Sequence, residues 1–220
     1  MIEYLVAGNI DDRIIARAVK ALGDGALLAV PTDSSWSIVC SLRSKAGIAK
    51  LRRFAGERDE RHFTLLCSGI AQFGELCNLD NAQFRLIKRL SPGPYVFILR
   101  TLAGTEKALG IRRHEVGIRI PDHRVPLALI DALGSPLYSI TAKRHLREGT
   151  EPELPEAETD GLPAIPEEEL FEGGWELEGI DWLDMVLDDG EDRERIFSTI
   201  LDLSAGEVRL LRAGSGPWPH

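Results

Sequence analysis

The chain has 220 residues, of which 44% are hydrophobic and 28% charged, and it carries a formal net charge of -9. This composition excludes a disordered or fibrous chain, and no run approaches the roughly 20 consecutive apolar residues that a membrane span requires. We therefore expect one compact cytoplasmic domain over residues 1–220, with no membrane as partner.

The first half of the sequence predicts alternating helices and strands. Apolar residues recur at helical spacing over 11–22, between acidic residues and Gly23, which predicts a helix. The other elements expected in this half are strands at 25–31 and 37–42, a helix over 44–54, a strand at 63–67 and two short helices over 70–77 and 81–90.

The second half predicts further strands separated by long connections. We expect strands at 95–100, 116–121 and 136–141, a helix over 124–134, and regular structure again at 184–190, 197–203 and 207–214. Several of these strands are joined by segments too long for hairpins. The pattern therefore predicts an α/β fold with a mixed sheet.

Charge is distributed unevenly along the chain. Residues 148–195 contain 19 Asp and Glu against two Arg, whereas the rest of the chain contains 24 Lys and Arg against 16 acidic residues. A basic body suits anionic ligands such as nucleotides or an RNA backbone. The stretch from about 145 to 179, rich in Glu, Pro and Gly, predicts an acidic surface-loop insertion; alternatively, it shields the basic surface or repels nucleic acid.

Residues 31–36, with the sequence PTDSSW, interrupt two apolar runs that each predict a buried strand. Pro, Asp and Ser favour a turn, because Pro fixes its backbone angle and the other two form local hydrogen bonds. Polar residues at the ends of apolar runs also commonly line ligand sites in α/β sheets. The stretch is thus either a simple turn or a ligand-binding crossing between two strands.

Arg119 lies between Ile118 and Ile120 in an apolar run. An ionised guanidinium in apolar surroundings must be paired with an anion. The partner is either Asp33 or Asp122, which would make Arg119 structural, or the carboxylate or phosphate of a ligand.

Common catalytic and metal-binding motifs are absent from the sequence. There is no phosphate-binding glycine loop, no nucleophile elbow and no zinc-protease helix motif. Neither the five histidines nor the three cysteines have the spacing of metal ligands. We expect no metal site, and we interpret Cys40, Cys67 and Cys77 as buried thiols.

Five ordered motifs together resemble the YrdC/YciO family, and its YciO-like branch most closely. They are PTDSSW, HFTLLC, DNAQFRLIKRLSPGPYVFILR, VGIRIPDH and LGSPLYSITA, and the resemblance runs from about Ala26 to Ala142, with similar closing strands. It implies a twisted mixed sheet flanked by helices around a large, positively charged concave cavity. Enzymes of this family condense ATP, threonine and bicarbonate into threonylcarbamoyl-adenylate for tRNA modification, releasing pyrophosphate, and some members are described as binding tRNA or double-stranded RNA.

The resemblance also implies roles for individual residues. Thr32 would face the threonine substrate, Arg119 would pair with its carboxylate, and Ser139 would lie in the same site. Catalysis in such a site would depend on orientation and on cationic stabilisation of the reacting phosphorus, without a covalent nucleophile. ATP would be a substrate, with Mg²⁺ as its counter-ion, and no tightly bound cofactor is implied.

The family's phosphate-facing motifs are among the positions that differ in this sequence. The basic KxR pair falls in the stretch FAGERDERH, where Ala55 and Glu57 stand at the key places, and the family's SAN becomes Thr141, Ala142 and Lys143. The alternative function is therefore a non-catalytic protein that binds tRNA or double-stranded RNA and keeps the basic cavity. The residues available for nucleotide binding are Arg52, Arg58, Arg61, Thr141 and Lys143.

Overall fold

The computed structural model describes residues 1–5, 10–55, 63–109, 114–148 and 166–218. Its strands are β1 (Ile2–Tyr4), β2 (Leu28–Val30), β3 (Ser37–Ser41), β4 (Thr64–Leu66), β5 (Tyr95–Arg100), β6 (Glu115–Arg119), β7 (Leu137–Thr141), β8 (Met185–Asp188), β9 (Thr199–Asp202) and β10 (Arg209–Arg212). Its helices are α1 (Asp12–Gly23), α2 (Lys45–Ala55), α3 (Ile70–Leu76), α4 (Asn81–Leu90), α5 (Thr105–Leu109), α6 (Arg124–Leu133) and α7 (Arg144–Glu148).

The described strands form one sheet in the order β1-β8-β2-β3-β7-β4-β6-β5-β9-β10. The pairs β1 with β8, β2 with β8, β4 with β6, and β5 with β9 are parallel, and the remaining pairs are antiparallel. The expected α/β class with a mixed sheet flanked by helices is confirmed. Six of the nine neighbouring pairs join strands that are not consecutive in sequence, so distant segments meet at the sheet's centre.

Side chains from the two faces of the sheet enter two separate apolar clusters. Because successive strand residues point to opposite faces, Leu28 and Val30 pack with α1 and α6, whereas Leu27 and Ala29 pack on the other side with α2, α3 and α4. Helices therefore cover both faces. The same alternation along each strand determines which polar side chains of neighbouring strands lie on one face of the sheet.

Helix α6 has well-defined ends that place its first residues beside the sheet's polar region. The side chain of His123 accepts a hydrogen bond from the Val125 backbone N–H at 3.2 Å, which caps the N-terminus. Gly134 ends the helix with φ 63°, a left-handed conformation that glycine adopts without steric cost.

Several short elements were not expected from the sequence. They are β1, α5, α7 and two 3₁₀ turns at Glu167–Glu169 and Gly174–Leu177. Elements of three to five residues contain too few positions to show a period of 2 or 3.6. Strand β1 also depends on pairing with β8, about 180 residues away in sequence, which no local pattern can indicate.

Of the acidic stretch, the structure describes residues 145–148 and 166–179, and the second of these parts contains buried apolar side chains. Leu170, Phe171, Leu177 and Ile180 are all buried. Of these side chains, Phe171, Leu177 and Ile180 belong to the larger core cluster and anchor the segment to it. Whether the whole chain is a single domain stays a prediction. Among the described residues, no helix is both long and apolar enough to cross a bilayer.

Candidate functional site

A band of small polar residues lies on one face of the sheet's centre. The registers pair Ser37 with Thr141, Thr64 with Ser139, Thr64 with Gly117, and Leu66 with Arg119, so these side chains share one face. The same face packs against α1 and α6 elsewhere. This polar band therefore interrupts an otherwise apolar surface, and the Arg119 side chain projects from the same face of the sheet as the band.

The loop 31–36 is held by its own hydrogen bonds. The Thr32 hydroxyl, 1% exposed, donates to the Ser35 carbonyl at 2.6 Å and accepts from the Ser34 backbone N–H at 3.2 Å. The Trp36 indole N–H donates to the Glu172 carbonyl at 2.9 Å. The loop is thus a turn whose Thr32 hydroxyl has no donor left, and Trp36 connects it to the acidic segment.

Arg119 is buried and makes four hydrogen bonds within the protein. Its Nε donates to the Gly93 carbonyl at 3.2 Å, its Nη1 to the hydroxyls of Ser34 and Ser198 at 3.0 and 2.6 Å, and its Nη2 to Asp33 Oδ1 at 2.5 Å. Burial lowers the pKa of Arg119, and the Asp33 carboxylate opposes that shift. Of the partners considered from the sequence, Asp33 is the one that pairs with Arg119. The Arg119 guanidinium then has one N–H group that is not used in these hydrogen bonds.

Asp33 has a second oxygen that remains available. Its Oδ2 atom is buried and, among the described residues, has no hydrogen-bond partner. Buried carboxylate oxygens are nearly always hydrogen-bonded in proteins, so an unpaired one beside a charged cluster points to a missing donor. An ammonium or hydroxyl group of a ligand would supply it.

Arg212 is the second cation of this region, and the sequence did not single it out. Its guanidinium stacks over the Phe197 ring at 4.6 Å, and its Nε and Nη2 donate to the Ser198 carbonyl at 3.2 and 2.9 Å. For Nη1 no partner occurs among the described residues. Burial, and then the charge of Arg119, lower the pKa of Arg212 to about 10.

Lys143 is the third cation and is 6% exposed. Burial and then the charge of Arg212 lower its pKa to about 8, and the charge of Glu169 opposes the shift. Glu169 is itself engaged by the His145 ring at 2.9 Å, and the backbone of Lys143 pairs with Leu170. Within the described ranges, the Lys143 ammonium has neither a hydrogen bond nor an ion pair.

The structure brings together five of the eight site residues inferred from the sequence. Ser139 donates its hydroxyl to the Thr64 carbonyl at 2.7 Å, which ties β7 to β4, and Thr141 lies half-buried on the same face. Thr32, Arg119 and Lys143 complete this group. Their roles in substrate or nucleotide binding stay predictions.

Arg52 lies away from this group. Its Nη2 donates to the Leu109 carbonyl and to the Tyr138 hydroxyl, both at 3.1 Å, and its guanidinium lies over the rings of Phe63 and Tyr138. Tyr138 packs in the cluster on the opposite face of the sheet from Ser139. Arg58 and Arg61 fall outside the described residues.

Ser198 and Arg212 are the functional candidates that sequence reasoning missed. Both come from the last two strands, where Ser198 directly precedes β9 and Arg212 ends β10. For Ser198 the sequence did offer a signal, because a polar residue directly before a buried strand can line a site, as in the loop 31–36. No group of three or more residues able to hold a metal ion occurs in the described parts of the chain.

These features define a mixed α/β protein with two buried cations, Arg119 and Lys143, and a half-buried one, Arg212, beside a polar sheet face. The family model described as "Telomere recombination", that of Sua5, YciO and YrdC, matches residues 20–153. The chain belongs to this family, which confirms the resemblance seen in the sequence.

Relatives of the chain include a protein named YciO and proteins named threonylcarbamoyl-AMP synthase. It is 32% identical over 137 residues to the "Uncharacterized protein YciO" of Escherichia coli K12, an alignment that spans 62% of this chain and 66% of that protein. It is 28% identical to the threonylcarbamoyl-AMP synthase of Mus musculus, over 90% of this chain and 65% of the enzyme. These alignments thus span about two thirds of either relative.

Solved structures share the fold. The crystal structure of E. coli YciO superposes with a TM-score of 0.76 and 24% identity, covering 99% of this chain and 97% of that one. P. abyssi Sua5 in complex with L-threonine superposes with a TM-score of 0.77 and 19% identity, covering 97% of this chain and 57% of that one.

Proposed function

We propose that this protein is an enzyme of the threonylcarbamoyl-AMP synthase type, which joins threonine, bicarbonate and ATP and releases pyrophosphate, for use in tRNA modification. Relatives named threonylcarbamoyl-AMP synthase and a structural neighbour bound to L-threonine support the substrate class. The observation that carries the proposal is the pair of cationic groups, Arg212 Nη1 and Lys143 Nζ, that have no partner among the described residues.

The reaction needs orientation and charge neutralisation rather than a protein nucleophile. The threonine nitrogen forms a bond to the bicarbonate carbon, with loss of water. An oxygen of the resulting carbamate then attacks the α-phosphorus of ATP, and pyrophosphate leaves with the electrons of the broken P–O bond. Cations fixed beside the phosphates stabilise the charge that develops on the phosphoryl oxygens and on the leaving group.

Some residues of the site hold its shape, and others are available to bind the substrates. Arg119 fixes Asp33 and Ser198, so it is a positioning residue whose four internal hydrogen bonds shape the site. Asp33 Oδ2 is free to accept a hydrogen bond from the ammonium or hydroxyl of an amino acid. Arg212 and Lys143 would then face the anionic part of the substrates.

Threonine-dependent release of pyrophosphate from ATP tests this function directly. We expect the wild-type protein to release pyrophosphate only when threonine and bicarbonate are both present. The Arg212→Gln variant should lose about ten- to a hundredfold of this rate, since a hydrogen bond to a charged group contributes ~1.5–3 kcal/mol. Arg85→Gln, which removes the same charge from an exposed position on α4, serves as the control.

A wild-type protein that releases no pyrophosphate with threonine would contradict the proposal. A rate that falls equally in the Arg212 and Arg85 variants would show instead that only overall charge matters.

RNA binding without chemistry is the second candidate, and the basic charge outside 148–195 favours it. It predicts an affinity for tRNA or duplex RNA that falls steeply with salt, because bound cations displace counterions from the phosphates. Filter binding at several salt concentrations measures this. Absent or salt-insensitive binding would remove the candidate.

A further inference from the structure

Residues 189–198, which connect β8 to β9, reach from one half of the sheet to the other, and we call them the crossing segment. Strand β8 is second and β9 is ninth in the order of the sheet. The crossing segment contains no helix or strand of its own. Its path must therefore be fixed by contacts with the elements that it passes.

The crossing segment begins in a cluster of three side chains, His123, Asp189 and Arg193. Arg193 Nη2 donates to Asp189 Oδ2, and the same carboxylate oxygen lies 3.1 Å from His123 Nε2. Arg193 Nη2 also lies 3.0 Å from His123 Nε2. In the order given, the side chains are 12%, 3% and 9% exposed. The cluster therefore attaches the start of the crossing segment to the N-terminus of α6.

The contacts of His123 determine where its ring carries a proton. Because Nδ1 accepts a hydrogen bond from the Val125 N–H at 3.2 Å, we assign the proton of the neutral ring to Nε2, which donates it to Asp189. A second proton could be added only at Nδ1. It would displace the Val125 N–H and remove the cap of α6, and the charged ring would face the Arg193 guanidinium.

The other end of the crossing segment lies in the candidate site. The Ser198 hydroxyl accepts a hydrogen bond from Arg119 Nη1 at 2.6 Å and lies 3.1 Å from the Ser34 hydroxyl. The position of Ser198 thus affects both Arg119 and the loop 31–36.

The crossing segment is also joined to the loop 31–36 through one shared acceptor. The Glu172 carbonyl accepts hydrogen bonds from the Arg193 backbone N–H and from the Trp36 indole N–H, both at 2.9 Å. A displacement of Arg193 would therefore be felt at the loop through Glu172 as well as through Ser198.

We propose that His123 and Arg193 are positioning residues of the candidate site, on which they act through the crossing segment, and that protonation of His123 releases this segment. The inference rests on the proposed function only for the use to which the site is put, and it adds a form of regulation. The site is ordered when His123 is neutral, and the crossing segment and the loop 31–36 loosen together when the ring becomes charged.

The direction of the pH dependence follows from the groups that face His123. Burial, and then the charge of Arg193, lower the pKa of His123, whereas Asp189 and, from the loop 31–36, Asp33 oppose the shift. The positive end of the α6 dipole also disfavours a charged ring. Once released, His123 regains its ordinary pKa of about 6.5 and takes up a proton. The attached state is therefore fully favoured above this pH and is weakened as the pH falls below it.

Amide hydrogen exchange measured by NMR reports on both ends of this connection without any ligand. The two reporters are the Arg193 N–H, which donates to Glu172, and the Ser34 N–H, which donates to the Thr32 hydroxyl. After correction for the intrinsic exchange rate, we expect the protection of both amides to fall about three- to tenfold from about pH 7.5 to about pH 5.5. Carboxylates keep their charge over this interval, so the released His123 supplies the effect.

The variant His123→Asn separates the cluster from the helix cap. Asparagine is a good N-cap residue, so α6 keeps its cap, but the new side chain is shorter and does not titrate. We expect both reporter amides to be about tenfold less protected than in the wild type at about pH 7.5, as for the loss of one hydrogen bond to a charged group, and to lose nothing further on acidification. Amides of β3, at the centre of the sheet, should keep their protection, because the opening is local.

Two substitutions of Arg193 and one control complete the set. Arg193→Gln should lower the protection of both reporters, because it leaves the buried Asp189 carboxylate without its counter-charge, and Arg193→Lys should restore part of it. His114→Asn removes a histidine that is 85% exposed and should behave like the wild type at every pH.

A His123 ring that NMR shows to be protonated on Nδ1 at about pH 7.5, or wild-type Arg193 protection that stays constant with pH, would overturn the inference. So would a His123→Asn variant in which Arg193 loses protection and Ser34 keeps it, because Ser198 would then be held independently of the cluster. None of these measurements needs threonine or nucleotide. A failure of pyrophosphate release would therefore leave the inference standing, and the two proposals can fail separately.

Discussion

Replacing Asp33 by Ala should lower the free energy of unfolding by about 3–5 kcal/mol, because it leaves the buried Arg119 guanidinium without its counter-charge. The two side chains are 14% and 5% exposed, so water cannot replace the lost carboxylate. Urea unfolding at neutral pH measures the change. Asp181→Ala, which removes an exposed carboxylate, should leave the unfolding midpoint unchanged.

A double substitution distinguishes loss of the ion pair from loss of packing. Arg119→Met combined with Asp33→Ala removes both charges and should be less destabilised than the sum of the two single variants. Strictly additive effects would show that Asp33 and Arg119 stabilise the fold independently, contrary to the geometry of the pair.

Replacing Phe171 by Ala should cost about 3–5 kcal/mol, the range for removing a buried aromatic side chain. Phe171 is 1% exposed, and the Arg144 guanidinium lies 4.9 Å from the centre of its ring. The same change should make the segment after Pro166 more susceptible to limited proteolysis, because Phe171 is one of its few apolar anchors.

Trp175→Ala is the matched control for this prediction. Trp175 belongs to the same segment but is 67% exposed, so its removal should change neither the urea midpoint nor the rate of cleavage. If both aromatic variants were equally stable, the segment would be held by its polar contacts, such as Arg144 with Glu176.

The sequence predicts the fold well where long apolar patterns repeat. Helices α1, α4 and α6 begin or end at residues with recognisable capping chemistry, such as Asp11, Asp80 and Gly134, and all three were expected. Strand β1 was missed because its pairing partner β8 lies far away in sequence, and α7 was missed because its five residues are too few to show a helical period. In the described part of the acidic stretch, the overall charge gave no indication that Leu170, Phe171 and Leu177 are buried.

The site was predicted less completely, for a physical reason. That Arg119 needs an anion follows from its apolar neighbours, but that the anion is Asp33 depends on how the loop 31–36 is placed above β6. Arg52 and Lys143 look alike as basic residues of the sequence, yet Arg52 contacts Tyr138 of β7, whereas Lys143 follows the end of β7 and pairs with Leu170. These contacts join segments that are distant in sequence, so no local pattern distinguishes the two residues.

The order of strands in the sheet also has a consequence for how the chain folds during synthesis. Strand β1 pairs with β8, and Arg119 needs the Ser198 hydroxyl that precedes β9. On the ribosome, the first strand and the cation cluster must therefore wait for the last fifth of the chain to emerge. A chain released before β9 would contain every motif by which the family was recognised in residues 26–142 and still have an incomplete site.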